Sequence, residues 1–184
     1  MSITLDDRIG AVVTKYDQAL EGFAGIKKKD EIVNGIDVNE DIILTSSEIE
    51  DIHKIMCEKF GGEPTIRDKG LFDNLCSQPY QEVFGLVLYP TIYDKAAKFL
   101  ESFTHHQVFV DGNKRTGFMT MCVLLEKNGI HFNMSQRDAY NFIMDVIQGK
   151  YLENADIAKV IEKNSIKYKD LGLGDYEEME NINL

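Results

Sequence analysis

Tryptophan is absent from this sequence, and proline and cysteine occur only three times each. So little proline excludes a proline-rich spacer or a long low-complexity middle. The cysteines, Cys57, Cys76 and Cys122, are odd in number, far apart and set in apolar-periodic stretches. They exclude a disulfide framework or a clustered metal site and read as buried reduced thiols. Positive charge is also short: 20 Lys and Arg stand against 31 Asp and Glu, for a net charge of −11. Nucleic-acid backbones need clustered cations, so a broad nucleic-acid surface is excluded, while a local pocket for one nucleotide is not. No apolar run reaches the roughly 18 to 20 residues that span a bilayer. The segment Met1 to Arg8 has neither a basic start nor an apolar stretch of a secretory leader. The chain therefore reads as cytoplasmic, with no membrane and no nucleic acid among its partners.

What is present is helical periodicity. Leu5 to Phe23 carries an apolar stripe of Ile9, Val12, Val13, Tyr16, Leu20 and Phe23, and Lys27-Lys28-Lys29-Asp30 follows as a solvated connection. Asn34-Gly35 between short β-favouring runs predicts a hairpin over Ile32–Val38. Ser46 or Ser47 is expected to cap a helix burying Ile49, Ile52, Met56 and Phe60, ended by Gly61-Gly62-Glu63-Pro64. A short helix over Leu71–Gln78 and a longer one over Tyr93–His106 come next. The helix from about Asn113 to Asn128 is apolar on nearly every side and belongs at the centre of a bundle. Ser135 opens another helix, and Asn154 is expected to cap the last. The reading is an all-α bundle with a small β-hairpin or flap. It divides into an N-terminal extension (1–43), a central domain (44–165) and an acidic, flexible tail (166–184).

Between the two central helices lies Gln107-Val108-Phe109-Val110-Asp111-Gly112-Asn113-Lys114-Arg115-Thr116-Gly117. A loop running into a helix N-terminus offers unpaired N–H groups and the positive end of the helix dipole to an anion. Gly112 permits close backbone approach. Asn113 supplies an amide, Lys114 a point charge and Arg115 a forked donor suited to phosphate. Asp111 is placed to hold Mg²⁺ against phosphate oxygens, and Thr116 completes the nucleotide-binding set. On composition alone, the same residues read first as an ordinary turn and a solvated helix start.

The stretch resembles the Fic/Doc superfamily signature, His-x-Phe-x-Asp/Glu-Gly/Ala-Asn-Gly/Lys-Arg, and Lys114 matches the death-on-curing (Doc) branch. The likeness extends through Phe60–Leu71, similar to that branch's flap-and-helix segment, and through Leu88-Tyr89-Pro90-Thr91 and Lys95-Ala96-Ala97. It covers roughly Leu44 to Val160. The resemblance implies an all-helical bundle that presents the loop, with ATP and Mg²⁺ as cofactors. It further implies a toxin that phosphorylates a Ser or Thr of a protein target, elongation factor Tu in the Doc case, restrained by a partner antitoxin. AMP transfer is the alternative chemistry of the Fic branch.

One position departs from the pattern. The family's general base is the His two residues before the Phe, and here that residue is Gln107. Glutamine has no titratable site near neutral pH, so the acceptor proton has no base to receive it. Three accounts are open: an inactivating change in a toxic protein, a natural pseudoenzyme that binds nucleotide or protein without turnover, or His105 or His106 as a displaced base. His53 and His131 have no partner at ligand spacing and read as structural or surface residues. Ser46-Ser47-Glu48-Ile49-Glu50 partly matches the inhibitory helix of some Fic proteins, but Asp51 follows, and the stretch reads as helix capping.

Overall fold

The ends of the helices are set by side chains that take over orphan backbone groups. A computed structural model describes residues 8–15 and 41–171 of the chain. Residues 8–15 are helical (α1), and α2 runs Ser46–Phe60, α3 Lys69–Ser77 and α4 Ile92–His105. They are followed by α5 at Asn113–Lys127, α6 at Gln136–Ile147 and α7 at Asn154–Lys163. Thr45 and Glu48 form a capping box on α2, and Thr91 and Asp94 form one on α4. Each satisfies donors that the first helical turn leaves open. The cap of α2 is thus Thr45 rather than Ser46 or Ser47, because Glu48 lies three residues after Thr45. Asn154 is not the cap of α7 but its first residue; Glu153 precedes it without a side-chain bond. The Asn154 amide instead donates to Asp94 O on α4 at 3.0 Å.

The core is one cluster, and α5 runs through it with every residue from Arg115 to Glu126 buried. α5 packs on α4, α2 and a short strand, and α4 also packs on α7. The approach of α4 to α5 is close at Gly117, where a Cβ would lie 3.0 Å from Phe103 Cβ and 3.3 Å from Leu100 O. All three cysteines are buried and free. From α1, Ile9, Val12 and Val13 enter the same core. The remainder of the helix expected over Leu5–Phe23, the hairpin over Ile32–Val38, the Lys27–Asp30 connection and the acidic tail beyond Leu171 lie outside the described residues.

Among the described residues there are also two small antiparallel sheets. β1 (Glu82–Val83) pairs with β2 (Leu86–Val87) through a turn at Phe84 and Gly85, φ 51° and 78°, the left-handed pair that matches strand twist. This hairpin is the exposed one; Phe60–Leu71, expected to carry the flap, runs past the central loop with Ile66 bridged to Phe109. β3 (Ile130–Phe132) pairs with β4 (Ser165–Lys167), and Tyr168 after it is buried. The stretch from Ile166 to Leu171 was expected in the tail. It is ordered because β3 supplies ladder partners and Tyr168 reaches buried Glu126. No helix among the described residues is long and apolar enough to cross a membrane.

Candidate phosphate-binding loop

The loop before α5 is shaped from below. Phe109 is fully buried and stacks on His53 of α2, ring centroids 3.6 Å apart and planes 14° from parallel. Phe103 stacks beyond it at 5.6 Å. The Asn113 side chain accepts from Phe109 N at 2.9 Å and donates to Phe109 O at 3.0 Å, closing the loop into a fixed turn. A second clasp comes from Thr65–Asp68: Arg67 N donates to Val108 O at 2.8 Å, and Val110 N to Thr65 O at 2.9 Å.

Gly112 occupies the N-cap of α5 in the left-handed conformation, φ 76°, and no side chain caps this helix. The first ladder bond is Thr116 N to Gly112 O at 2.9 Å. A helix start of this kind, with backbone N–H groups ahead of the first ladder bond, is where anions commonly settle. Around this mouth Gln107, Asp111 and Lys114 are exposed, and Gly112 and Asn113 are half-buried. Asp111 Oδ2 accepts from Glu63 N at 3.2 Å, and Asp111 Cβ lies 2.9 Å from where a Cβ on Gly62 would be. Only glycine at position 62 lets the α2–α3 connection pass this close.

Arg115 and Thr116 turn the other way. Arg115 is 4% exposed, and its Nη1 donates to Gly61 O at 3.0 Å and Met56 O at 3.3 Å. It thereby serves carbonyls at the C-terminal end of α2, where a cation is favoured. Thr116 Oγ1 lies 3.1 Å from His53 Nδ1. Helical rotation explains both, since residues 115 and 116 begin the continuous run that faces the core. Their side chains support the loop from beneath instead of lining its mouth. Burial, and after it the Arg115 charge, pushes the His53 pKa down to about 4 against a partial offset from Asp111.

The sequence around the loop has counterparts in known proteins. Residues 43–125 match the Fic/DOC family model. Residues 43–125 are thus similar to a Fic/Doc domain. Over 71 residues it is 42% identical to Toxin Doc of Mycolicibacterium smegmatis, a match spanning 39% of this chain and 55% of that protein. The chain therefore matches about half the length of this curated relative. No solved structure matches the chain at a significant level.

Within the matched segment, Gln107 Oε1 accepts from Arg67 Nη1 at 2.9 Å. Arginine has no acceptor, so the amide oxygen must be the atom that faces it. His105 Nε2 is bonded to Val146 O, and His106 Nδ1 to Ser102 O, both at 2.9 Å. Sequence reasoning missed Arg67 and His53. His53 was readable: with Ile49, Ile52, Met56 and Phe60 it completes one apolar stripe, which marks it as buried. Arg67 was not, because only the pairing of residues 65–68 with 108–110 brings it to the loop. His131 is likewise partnered, its Nδ1 2.8 Å from Glu126 Oε1.

Proposed function

We propose that this chain is a Doc-like toxin scaffold that binds a nucleoside triphosphate, ATP in the first instance, on the Gly112–Lys114 loop. It passes the γ-phosphoryl group of ATP to a Ser or Thr hydroxyl of a protein and releases ADP, with Gln107 leaving that step slow. The observation that carries it is the uncapped α5 N-terminus at a left-handed Gly112, with exposed Lys114 and Asp111 at its rim. The residues suit the implied ion: Asp111 is an exposed carboxylate beside the Gly112–Lys114 loop. Mg²⁺ ordinarily takes one or two carboxylates plus phosphate oxygens, so a single Asp111 beside a phosphate loop is the fitting donor set. When bound, Mg²⁺ would neutralise charge on the phosphates. Lys114 adds a point charge at the rim, Asn113 holds the turn, and Arg115 adds positive charge from beneath.

Gln107 can orient an acceptor hydroxyl but cannot take its proton, which costs on the order of 10² to 10⁴ in rate. Both neighbouring histidines are tied to backbone carbonyls, which supports Gln107 as the occupant of the base position. Lys114 in place of the Fic-branch glycine favours phosphoryl over AMP transfer. The relative's name, Toxin Doc, supports a toxin restrained by an antitoxin; elongation factor Tu, implied by the family resemblance alone, is the first target to test. A second reading, a pseudoenzyme that holds a nucleotide or protein, is favoured by the Gln107–Arg67 bond, which fixes position 107 without a base.

The test is label transfer from γ-labelled ATP into bacterial lysate by this chain and its Gln107→His version. Labelling of a protein by the His version alone supports the transferase reading. ATP binding with labelling by neither version supports the pseudoenzyme. An absence of ATP binding in both removes the proposal, and label arriving from the α-phosphate turns it to AMP transfer.

A further inference from the structure

We infer that His53 is a positioning residue for the phosphate-binding loop, acting through Phe109, Gly112 and Thr116 without touching the ligand. The inference deepens the reading above and rests on it only for its nucleotide arm. His53 has no exposed surface and so cannot meet a nucleotide. Its contacts nevertheless fall on three residues of the loop and the first turn of α5. Its ring face supports Phe109 at 3.6 Å. Its Nδ1 lies 3.1 Å from Thr116 Oγ1, on the residue whose N–H makes the first ladder bond of α5. Its Cε1 lies 3.5 Å from where a Cβ on Gly112 would sit, so the ring edge lies against the residue that turns left-handed. Cys57 Sγ, 3.8 Å from Nε2 and one turn along α2, closes the other side.

One imidazole thus fixes the floor, the turn and the start of the helix together. A purely apolar filler would hold the stack but lose the hydrogen bond. A smaller polar residue would keep a bond but lose the flat surface under Phe109. The groups facing the ring are Lys54 and Cys57 on α2, Thr116 and Arg115 on α5, and Asp111 and Gly112 in the loop. With Arg115 beside it, the ring is held in its neutral form, in which one nitrogen donates and the other accepts.

The experiment breaks the bond from each side, with His53→Phe and Thr116→Val, and keeps Thr116→Ser as the variant that retains the hydroxyl. Two quantities are read: amide exchange at Phe109, Val110 and Thr116, and binding of ATP in Mg²⁺ buffer. The expected result is about tenfold faster exchange at those three amides in both variants, the effect of losing one buried hydrogen bond. Amides of α6 and α7 should be unchanged, ATP affinity should fall about tenfold, and Thr116→Ser should behave as the native chain. A residue that only filled the core would loosen α6 and α7 in the same proportion. If the three amides keep native protection in Thr116→Val and in any folded His53→Phe, the inference is wrong. If it is the native chain that fails to bind ATP, the proposed function falls, and the exchange result still decides the role of His53.

Discussion

Acid should destabilise this protein through His53 before it does so through the surface carboxylates. The perturbation is a fall in pH from 7 to 4, and the group responsible is a ring with no exposed surface whose pKa is lowered from 6.5 to about 4. The sign follows from where the proton goes. Between those two values the unfolded chain binds a proton at His53 and the folded chain does not, so stability falls as pH falls. The loss begins near pH 6.5, reaches about 2 kcal/mol at pH 5 and about 3 kcal/mol at pH 4. A domain of this size has about 5–15 kcal/mol in all, so the effect is large. The assay is urea unfolding at several pH values for the native chain and for His53→Phe, which has nothing to protonate at that position. His105, His106, His131 and the carboxylates are common to both chains, so the difference between the two curves isolates His53. Equal slopes from pH 6.5 to 4.5 would refute the argument, because the ring would then be taking up its proton in the folded state.

Three further substitutions have directions set by the geometry. Gly62→Ala combines φ 122° with a Cβ 2.9 Å from Asp111 Cβ; it should cost on the order of 2–3 kcal/mol in chemical denaturation and move Asp111. Gly117→Ala pushes α5 against Phe103 Cβ and Leu100 O, and a loss of about 1–3 kcal/mol should appear in the same assay. Lys15→Met removes an amine 2.8 Å from both His131 Nε2 and Asn133 Oδ1. It should raise amide exchange in residues 8–15 while leaving α4 and α5 as they were.

The helical content was legible because the apolar spacing is strong. The inward residues expected for α4, Ala96, Ala97, Phe99, Leu100 and Phe103, are all fully buried, and α5 lies inside the bundle as its composition implied. What was not legible depended on distant chain. The β3–β4 pairing joins Ile130–Phe132 to a segment that by itself reads as the start of a polar tail. The Phe84-Gly85 turn has a non-glycine residue at positive φ, which no turn dipeptide announces. At the loop, residue identities indicated which groups gather, but not their sides. Arg115 reads as a phosphate fork, yet in the helix its angular position carries it down to the carbonyls of Met56 and Gly61.

The exposed hairpin has a consequence of its own. Residues 82–88 are all exposed, with Phe84 102% exposed and Leu86 71%, so the ribbon draws no stability from the core. It is held by its turn, its two-residue register and the bond from Leu88 N to Gln81 O at 3.1 Å. Such a tab can detach and reform while the seven α-helices of the described residues stay assembled. A protease that cleaves after apolar residues should nick the chain there first, leaving two fragments held together where α2 packs on α5 and α3 on α4.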